Sequence, residues 1–276
     1  HPIIKAMNTL GYDCSTLGNH EFNYGIDFMF KVLAGSNFPF VCANLTKGQL
    51  AANARDDELF LKPYVIIDRK LKDGAGAEHP IRIGLIGFVP PQIMTWDSRH
   101  LAGKAMTRDI VKAAEAWVPQ MKEEGAEIII ALSHSGMGEA GYVENAENAS
   151  IALAAVDGID AIVTGHTHQP YNCVVQDPKG NNRLLTSASS FGRLVTDIDL
   201  VIDHQTKDVK SWTAVNRIVT QDGASTLCCA EHLWHVYTAS DRRRGKPGRV
   251  LETREMIGQL RTAQPSFVVV PHTICV

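Results

Sequence analysis

The alternation of apolar and polar positions predicts an α/β chain in which helices and short strands follow one another. Apolar residues repeat at helical spacing over Pro2–Leu10, and Gly11 ends that helix. The same spacing predicts helices over Tyr24–Ala34, Thr107–Glu124 and Glu144–Val156, with Thr107 as the cap of the second of these. Short apolar runs predict strands over Tyr12–Leu17, Phe38–Ala43, Tyr64–Leu71, Ile81–Val89, Glu127–Leu132 and Ala161–Thr164.

The second half of the pattern consists of strands alone. They are predicted over Tyr171–Gln176, Arg183–Ser187, Leu194–Ile202 and Val209–Val219. Residues 46–58 are polar and are expected to form a surface loop, whereas Tyr64–Leu71 and Ile81–Val89 are expected to pair as a hairpin. From Gln221 the periodicity is lost. We therefore predict a folded domain over residues 1–220 and a poorly specified tail over residues 221–276.

Composition narrows the classes of partner. The 276 residues, of which 45% are hydrophobic, are enough to bury a real core. The net charge of −3 disfavours a nucleic-acid polymer as a partner, and no apolar run approaches the roughly 20 residues of a membrane span. The six cysteines include no CxxC pair, which disfavours a structural zinc site.

Three polar motifs follow three of the predicted strands. They are Leu17-Gly18-Asn19-His20-Glu21-Phe22-Asn23, Ser133-His134 and Gly165-His166-Thr167-His168. A single histidine of this kind is more often structural or solvated than functional. Because ligand sites gather at the carboxyl ends of strands in an α/β sheet, the three motifs together favour a metal site. Imidazole with an amide oxygen suits Zn, Mn, Fe or Co better than Ca.

These motifs resemble signature blocks of the calcineurin-like metallophosphoesterases, within the 5′-nucleotidase superfamily. The stretches from Gly18 to Gly25 and from Ile86 to Met94 are similar to the branch that acts on cyclic nucleotides. The resemblance extends from His1 to about Thr220. It implies an α/β sandwich of two mixed β-sheets flanked by helices, and two divalent metal ions of the Mn, Co, Zn or Fe type.

The resemblance also implies roles for individual residues. Asn19, His134 and His166 would hold one metal, and His168 would hold the other. His20 would stabilise the transition state or protonate the leaving ribose oxygen. The implied substrate is a small nucleotide: 2′,3′-cyclic nucleotides would be hydrolysed to 3′-nucleotides, and these to nucleosides and phosphate, by a water that the two metals activate. A periplasmic location is implied as well.

Two departures from the family pattern shape the alternatives. Asn23 stands where related 5′-nucleotidases carry aspartate, which favours the cyclic-nucleotide branch over a 5′-nucleotidase or nucleotide-sugar hydrolase. The family's opening motifs, Asp-x-His and a Gly-Asp whose carboxylate bridges the metals, do not occur in the chain. They are expected upstream of His1, so the catalytic domain is expected to be N-terminally truncated. A non-catalytic metal-binding fragment is the third alternative, because a missing bridge weakens metal binding.

Overall fold

A computed structural model describes residues 1–73, 77–203, 205–219 and, as backbone only, 267–269. The predicted tail over residues 221–276 therefore lies outside the described residues, apart from 267–269. The described residues include two 3₁₀ turns, at His20–Phe22 and Ala54–Asp56. The α-helices of the described part are Pro2–Leu10 (α1), Ile26–Leu33 (α2), Ile93–Trp96 (α3), Ser98–Leu101 (α4), Ile110–Glu123 (α5) and Ser150–Ala154 (α6).

The strands before residue 60 have two or three residues each, and most of the described strands after it are longer. In chain order they are Ser15–Thr16 (β1), Phe40–Val41 (β2), Leu45–Lys47 (β3), Tyr64–Lys72 (β4), Glu78–Phe88 (β5), Ala105–Thr107 (β6), Ile128–Ser133 (β7), Ala161–Thr164 (β8), Pro170–Gln176 (β9), Asn182–Ala188 (β10), Leu194–Ile202 (β11), Val209–Ile218 (β12) and Phe267–Val269 (β13).

A six-stranded mixed sheet lies at the centre, in the order β4-β5-β7-β8-β10-β9. Strands β5, β7, β8 and β10 run parallel to one another, and β4 and β9 pair antiparallel at the two edges. Parallel strands are usually buried on both faces, which is why β7 and β8 are almost continuously apolar in sequence. This sheet carries two of the three polar motifs at the ends of adjacent strands.

A second sheet, in the order β12-β11-β13, covers one face of the central sheet. Ile198, Leu200 and Trp212 of this second sheet share a buried cluster with Ile83 and Ile130 of the central one. The opposite face packs on helices α5 and α6. The cluster there contains Trp117, Met121, Ile129, Leu153 and Ile162. The expected α/β sandwich with flanking helices is confirmed.

A third apolar cluster holds the N-terminal elements beside the central sheet. It contains Ile4 of α1, Leu17, Phe22 of the first 3₁₀ turn and Met29 of α2. Strands β1 and β2 pair parallel within this region. The backbone N–H of Ala43 donates to the carbonyl of Gly87 at 2.7 Å, which ties the segment after β2 to strand β5. The first polar motif is thereby held next to the other two.

Several sequence predictions are confirmed, and one cap assignment is wrong. Helix Pro2–Leu10 and the hairpin of β4 and β5 form as predicted, and Gly11 ends α1 with a left-handed φ of 71°. Thr107 does not cap α5, because it ends strand β6. Asp109 caps the helix instead, since its carboxylate accepts the Lys112 backbone N–H at 3.0 Å.

Two further predictions need correction. The predicted helix Glu144–Val156 is reduced to Ser150–Ala154, because the preceding loop uses side chains to satisfy its backbone. Asn148 accepts the Gly136 N–H at 2.9 Å, and the Ser135 hydroxyl donates to the Glu147 carbonyl at 2.8 Å. The predicted loop over residues 46–58 contains part of β3 and the second 3₁₀ turn, so it is not wholly irregular.

The described helices are all short relative to a lipid bilayer. Among the described residues, no helix combines the length and the apolar composition needed to cross a membrane.

Asp57 forms a buried ion pair whose loss is expected to destabilise the fold. Its carboxylate accepts two hydrogen bonds from Arg108, at 2.5 and 2.8 Å, and these bonds raise the pKa of Arg108. The side chains of Asp57 and Arg108 are only 1% and 13% exposed. Replacing Asp57 with asparagine leaves a guanidinium with no counter-charge from Asp57, so we expect the free energy of unfolding to fall by about 3 kcal/mol.

Urea denaturation of Asp57→Asn measures this loss, and Glu58→Gln is the matched control. Glu58 pairs with Lys47 at 3.0 Å, but both side chains are largely exposed. Its replacement should therefore cost less than about 1 kcal/mol. Equal urea midpoints for the two variants would contradict the expected stabilisation by the buried pair.

Candidate metal centre

His134 and His166 follow two neighbouring parallel strands of the central sheet. Ser133, the last residue of β7, is level with Thr164, the last residue of β8. The backbone N–H of His134 donates to the carbonyl of Phe88 at the end of β5, at 2.9 Å. The sheet register therefore delivers both histidines to the same edge, as expected for a ligand site in an α/β sheet.

Glycines let the first motif approach this edge closely. A Cβ atom on Gly18 would lie 2.8 Å from Cε1 of His134 and 2.9 Å from Oε2 of Glu21. A Cβ atom on Gly165 would lie 3.3 Å from Nδ1 of the same histidine. The His134 ring thus fits between two backbone segments that tolerate little more than hydrogen at these positions.

Asn19, His134 and His166 converge on one point. Oδ1 of Asn19 lies 2.9 Å from Nε2 of His134 and 3.4 Å from Nδ1 of His166. Donor atoms that each lie about 2.1 Å from one transition-metal ion are roughly 3–3.5 Å apart, so both distances from Asn19 are close to the spacing of ligands on a single ion. Three of the four predicted metal ligands are brought together.

The amide of Asn19 is essential to this arrangement. Within the part of the chain that the structure describes, no group of three or more His, Cys, Asp or Glu side chains has the spacing to hold a metal. The rings of His134 and His166 meet edge to face, with their centroids 5.4 Å apart. Imidazole and carboxylate groups alone therefore do not make up this site, which also needs the amide oxygen of Asn19 beside His134 and His166.

Two residues that the sequence analysis missed hold the ring of His166. Nε2 of His166 lies 2.7 Å from Oε1 of Glu147. The indole ring of Trp96 stacks on the imidazole, with the ring centroids 5.4 Å apart. Glu147 lies in a polar stretch whose pattern predicts the exposed face of a helix, so its sequence context does not indicate a functional role. Trp96 belongs to none of the polar motifs. His166 itself has a φ of 71°, an uncommon conformation for a residue other than glycine.

His20 directly follows Asn19 in the chain, and its ring is held through Nδ1. Its Nδ1 is 2.8 Å from Oδ1 of Asn23. The side-chain amide of Asn23 donates in turn to both carboxylate oxygens of Asp97, at 3.0 and 3.3 Å. Asp97 is 3% exposed. The sequence analysis identified His20 and Asn23 but gave no role to Asp97.

Glu21 closes the turn that carries Asn19 and His20. Its Oε2 accepts the Gly18 backbone N–H at 2.6 Å. Burial raises the pKa of Glu21 to about 7, although the Gly18 hydrogen bond and the charge of His20 oppose the rise. Its Oε1 is shielded from solvent and has no hydrogen-bond partner among the described residues. This carboxyl shapes the turn beneath the site.

His168 lies in a different environment from the trio. Its ring packs on Phe191 with centroids 5.8 Å apart, and its carbonyl accepts a hydrogen bond from the Ser189 hydroxyl at 3.0 Å. His168, Ser189 and Phe191 all have positive φ angles, of 60°, 70° and 58°. The predicted ligand of the second metal is therefore presented by a strained pair of loops, a feature often found at functional sites.

Comparisons with known proteins identify the family to which this chain belongs. The family model described as calcineurin-like phosphoesterase matches residues 3–170. A 2′,3′-cyclic-nucleotide 2′-phosphodiesterase/3′-nucleotidase from Yersinia enterocolitica is 46% identical over 168 residues, which are 61% of this chain and 25% of that protein. The trifunctional nucleotide phosphoesterase protein YfkN of Bacillus subtilis is 44% identical over 213 residues, covering 74% of this chain and 14% of that protein.

Structural similarity leads to the same family. The crystal structure of the calcineurin-like phosphoesterase YfkN from Bacillus subtilis aligns with a TM-score of 0.76 and 36% identity, covering 87% of this chain and 74% of that chain. The full-length curated relatives described above are much longer, and the chain spans about a quarter or less of their length. Since the matched residues 3–170 make up more than half of the chain and include every predicted site residue, this chain belongs to the calcineurin-like phosphoesterases.

Proposed function

We propose that this chain provides metal ligands and a catalytic histidine for hydrolysis of 2′,3′-cyclic nucleotides and 3′-nucleotides. The observation that carries the proposal is the approach of Oδ1 of Asn19 to Nε2 of His134 and Nδ1 of His166. The names of relatives at 44–46% identity support the substrate class. Asn23 supports the cyclic-nucleotide branch over a 5′-nucleotidase.

The proposal assigns one task to each side chain. Asn19, His134 and His166 would hold one divalent ion, and His168 would hold a second. When bound, such ions neutralise charge on the phosphate oxygens and activate the attacking water. His20 keeps its Nδ1 on Asn23, so its Nε2 is the ring nitrogen available to stabilise or protonate the leaving ribose oxygen.

One assay separates this proposal from its alternatives. The chain is incubated with Mn, Co or Zn and offered 2′,3′-cyclic AMP, 3′-AMP and 5′-AMP in parallel. Turnover of the first two supports the proposal. Preference for 5′-AMP would replace it with a 5′-nucleotidase or nucleotide-sugar hydrolase.

The same assay is run on the chain extended upstream by a segment that carries the family's Asp-x-His and Gly-Asp motifs. Activity that appears only in the extended protein supports the proposed substrates. It also attributes the inactivity of the shorter chain to the lack of the bridging carboxylate. If neither protein turns over any of the three nucleotides while both bind metal, the site is a metal-binding one without this activity.

Glu147→Gln is expected to weaken metal binding about tenfold. A carboxylate on the outer nitrogen of a ligating histidine orients its ring and raises its basicity, and losing such a partner typically costs 10–100-fold in affinity. We expect the lower end of that range because the Glu147 side chain is 42% exposed. Competition with a chromophoric chelator measures the affinity. Glu139→Gln, an exposed carboxylate of the same loop, is the control, and equal affinities for the two variants would contradict a role for Glu147.

The periplasmic location remains part of the proposal and rests on the resemblance alone. Osmotic-shock fractionation of the source cells tests it. Recovery of the protein in the shock fluid would support this location, and retention with cytoplasmic markers would overturn it.

A further inference from the structure

We propose that Asp97 is a positioning residue, which acts through Asn23 to fix the ring nitrogen of His20 that carries the proton. The inference rests on the role proposed for His20, but its physical basis is the hydrogen-bonded chain from Asp97 to Asn23 to His20. Asp97 lies outside the three polar motifs, and it is 74 positions away from Asn23 in the chain.

The backbone of Asp97 is anchored from both sides. Its N–H donates to the carbonyl of Ile93 at 2.9 Å, at the end of α3. Its own carbonyl accepts the N–H groups of His100 and Leu101 at 2.8 and 3.1 Å, at the start of α4. Because Asp97 is also buried, its carboxylate presents a fixed pair of acceptor oxygens to Asn23.

That carboxylate decides which way the amide of Asn23 points. An ionised carboxylate can only accept hydrogen bonds, and Nδ2 of Asn23 lies within 3.0 and 3.3 Å of its two oxygens. A flipped amide would place the oxygen of Asn23 against the carboxylate of Asp97, acceptor facing acceptor. The NH₂ group of Asn23 therefore faces Asp97, and its oxygen faces His20.

The amide in turn determines the proton position on His20. Oδ1 of Asn23 is an acceptor 2.8 Å from Nδ1 of His20, so Nδ1 must carry the hydrogen that it donates. In the neutral ring Nε2 is then left as a lone pair, and in the charged ring Nε2 holds the transferable proton. Asp97 thus orients the ring of His20 through the neutral amide of Asn23. A carboxylate hydrogen-bonded directly to the ring would orient it in the same way.

Other charged or titratable groups lie close to this chain of hydrogen bonds. The guanidinium of Arg99 reaches the backbone carbonyl of Asn23 at 3.5 Å, and the ring of His100 lies beside Gly25. Glu21 lies on the same turn as His20. The effect of a substitution at Asp97 must therefore be separated from the effect of a general change in local charge. Moving the carboxylate from position 97 to position 23 makes this separation.

Three variants remove, add or relocate a carboxylate with little change in side-chain size. Asp97→Asn removes the charge and allows the Asn23 amide to flip. Asn23→Asp leaves two carboxylates about 3 Å apart, which disfavours the native arrangement. The double variant Asn23→Asp/Asp97→Asn places the carboxylate directly on His20, with the new amide at position 97 able to donate to it.

We expect kcat for 3′-AMP to fall roughly 10–100-fold in Asp97→Asn with KM nearly unchanged, the usual cost of losing an outer partner. Asn23→Asp should fall at least as far. The double variant should return to within about threefold of the wild type, a strongly non-additive result. Asp27→Asn, an exposed aspartate of α2, is the control. A double variant as slow as the product of the two single effects would overturn the inference.

A second readout does not depend on activity. Nitrogen-15 NMR of the labelled chain without added metal reports the His20 tautomer, with the signals assigned by their loss in His20→Ala. We expect hydrogen on Nδ1 in the wild type and the double variant, and a mixture of tautomers in Asp97→Asn. If neither this chain nor its upstream-extended form turns over a nucleotide but the tautomer shifts in this way, the proposed function fails and the role of Asp97 stands. An unchanged tautomer in a folded Asp97→Asn variant would overturn that role.

Discussion

His134→Ala is expected to raise the dissociation constant for a divalent ion by more than about 100-fold. Loss of an outer-shell partner alone costs 10–100-fold, and His134 would be a direct ligand. Its Nε2 lies 2.9 Å from Oδ1 of Asn19, and the residue is 4% exposed, with its ring close to Gly18 and Gly165. Competition of zinc or manganese with a chromophoric chelator measures the effect.

His79→Ala is the matched control for this experiment. His79 lies in the hairpin strand β5 and interacts with Asp73, away from the three polar motifs. Metal affinity should be unchanged in this variant. Wild-type affinity in a folded His134→Ala variant would show that the trio of Asn19, His134 and His166 is not the metal site, and the proposed function would lose its main support.

His20→Ala is expected to lower kcat for 3′-AMP by about 10²–10⁴-fold, the usual contribution of a positioned acid or base. Metal affinity should stay within about threefold of the wild type, because His20 is hydrogen-bonded to Asn23 and is not one of the three converging ligands. Steady-state kinetics with saturating metal give kcat, and competition with a chromophoric chelator gives the metal affinity. An unchanged kcat in the variant would contradict the catalytic role.

The choice of leaving group distinguishes the two roles considered for His20. The ribose oxygen of 3′-AMP needs a proton as it leaves, whereas p-nitrophenolate leaves without one. If His20 protonates the leaving oxygen, His20→Ala should impair p-nitrophenyl phosphate hydrolysis much less than 3′-AMP hydrolysis. An equal loss with both substrates would assign His20 to stabilisation of charge on the phosphoryl group instead.

The hydrophobic pattern predicted the main elements of the fold because their local signals agree with their tertiary environment. Helix α1 and strands β8 and β11 match their predicted bounds. The prediction failed where side chains replaced regular backbone pairing. The segment before α6 has a helical sequence pattern, but bonds from Ser135 and Asn148 hold it as a loop. Such bonds join positions 12 apart and leave no periodic trace.

The candidate site was predicted only in part, for a similar reason. Asn19, His20, His134, His166 and His168 stand directly after strands, where short motifs are visible in the sequence. Asp97 and Glu147 contribute single carboxylates from a helix junction and a loop, and each acts on a residue far away in the chain. Only the folded structure can identify such partners, because nothing in their immediate sequence distinguishes them from other acidic residues.

The meeting of Asn19 and His166 has a consequence for folding as well as for chemistry. These two residues are 147 positions apart in the chain. Closing so long a loop costs more chain entropy than closing a short one, and such non-local contacts slow folding. An ion held there would favour the fully assembled state by mass action. Metal starvation would then shorten the lifetime of the protein itself, through unfolding and proteolysis, in addition to removing its catalytic ion.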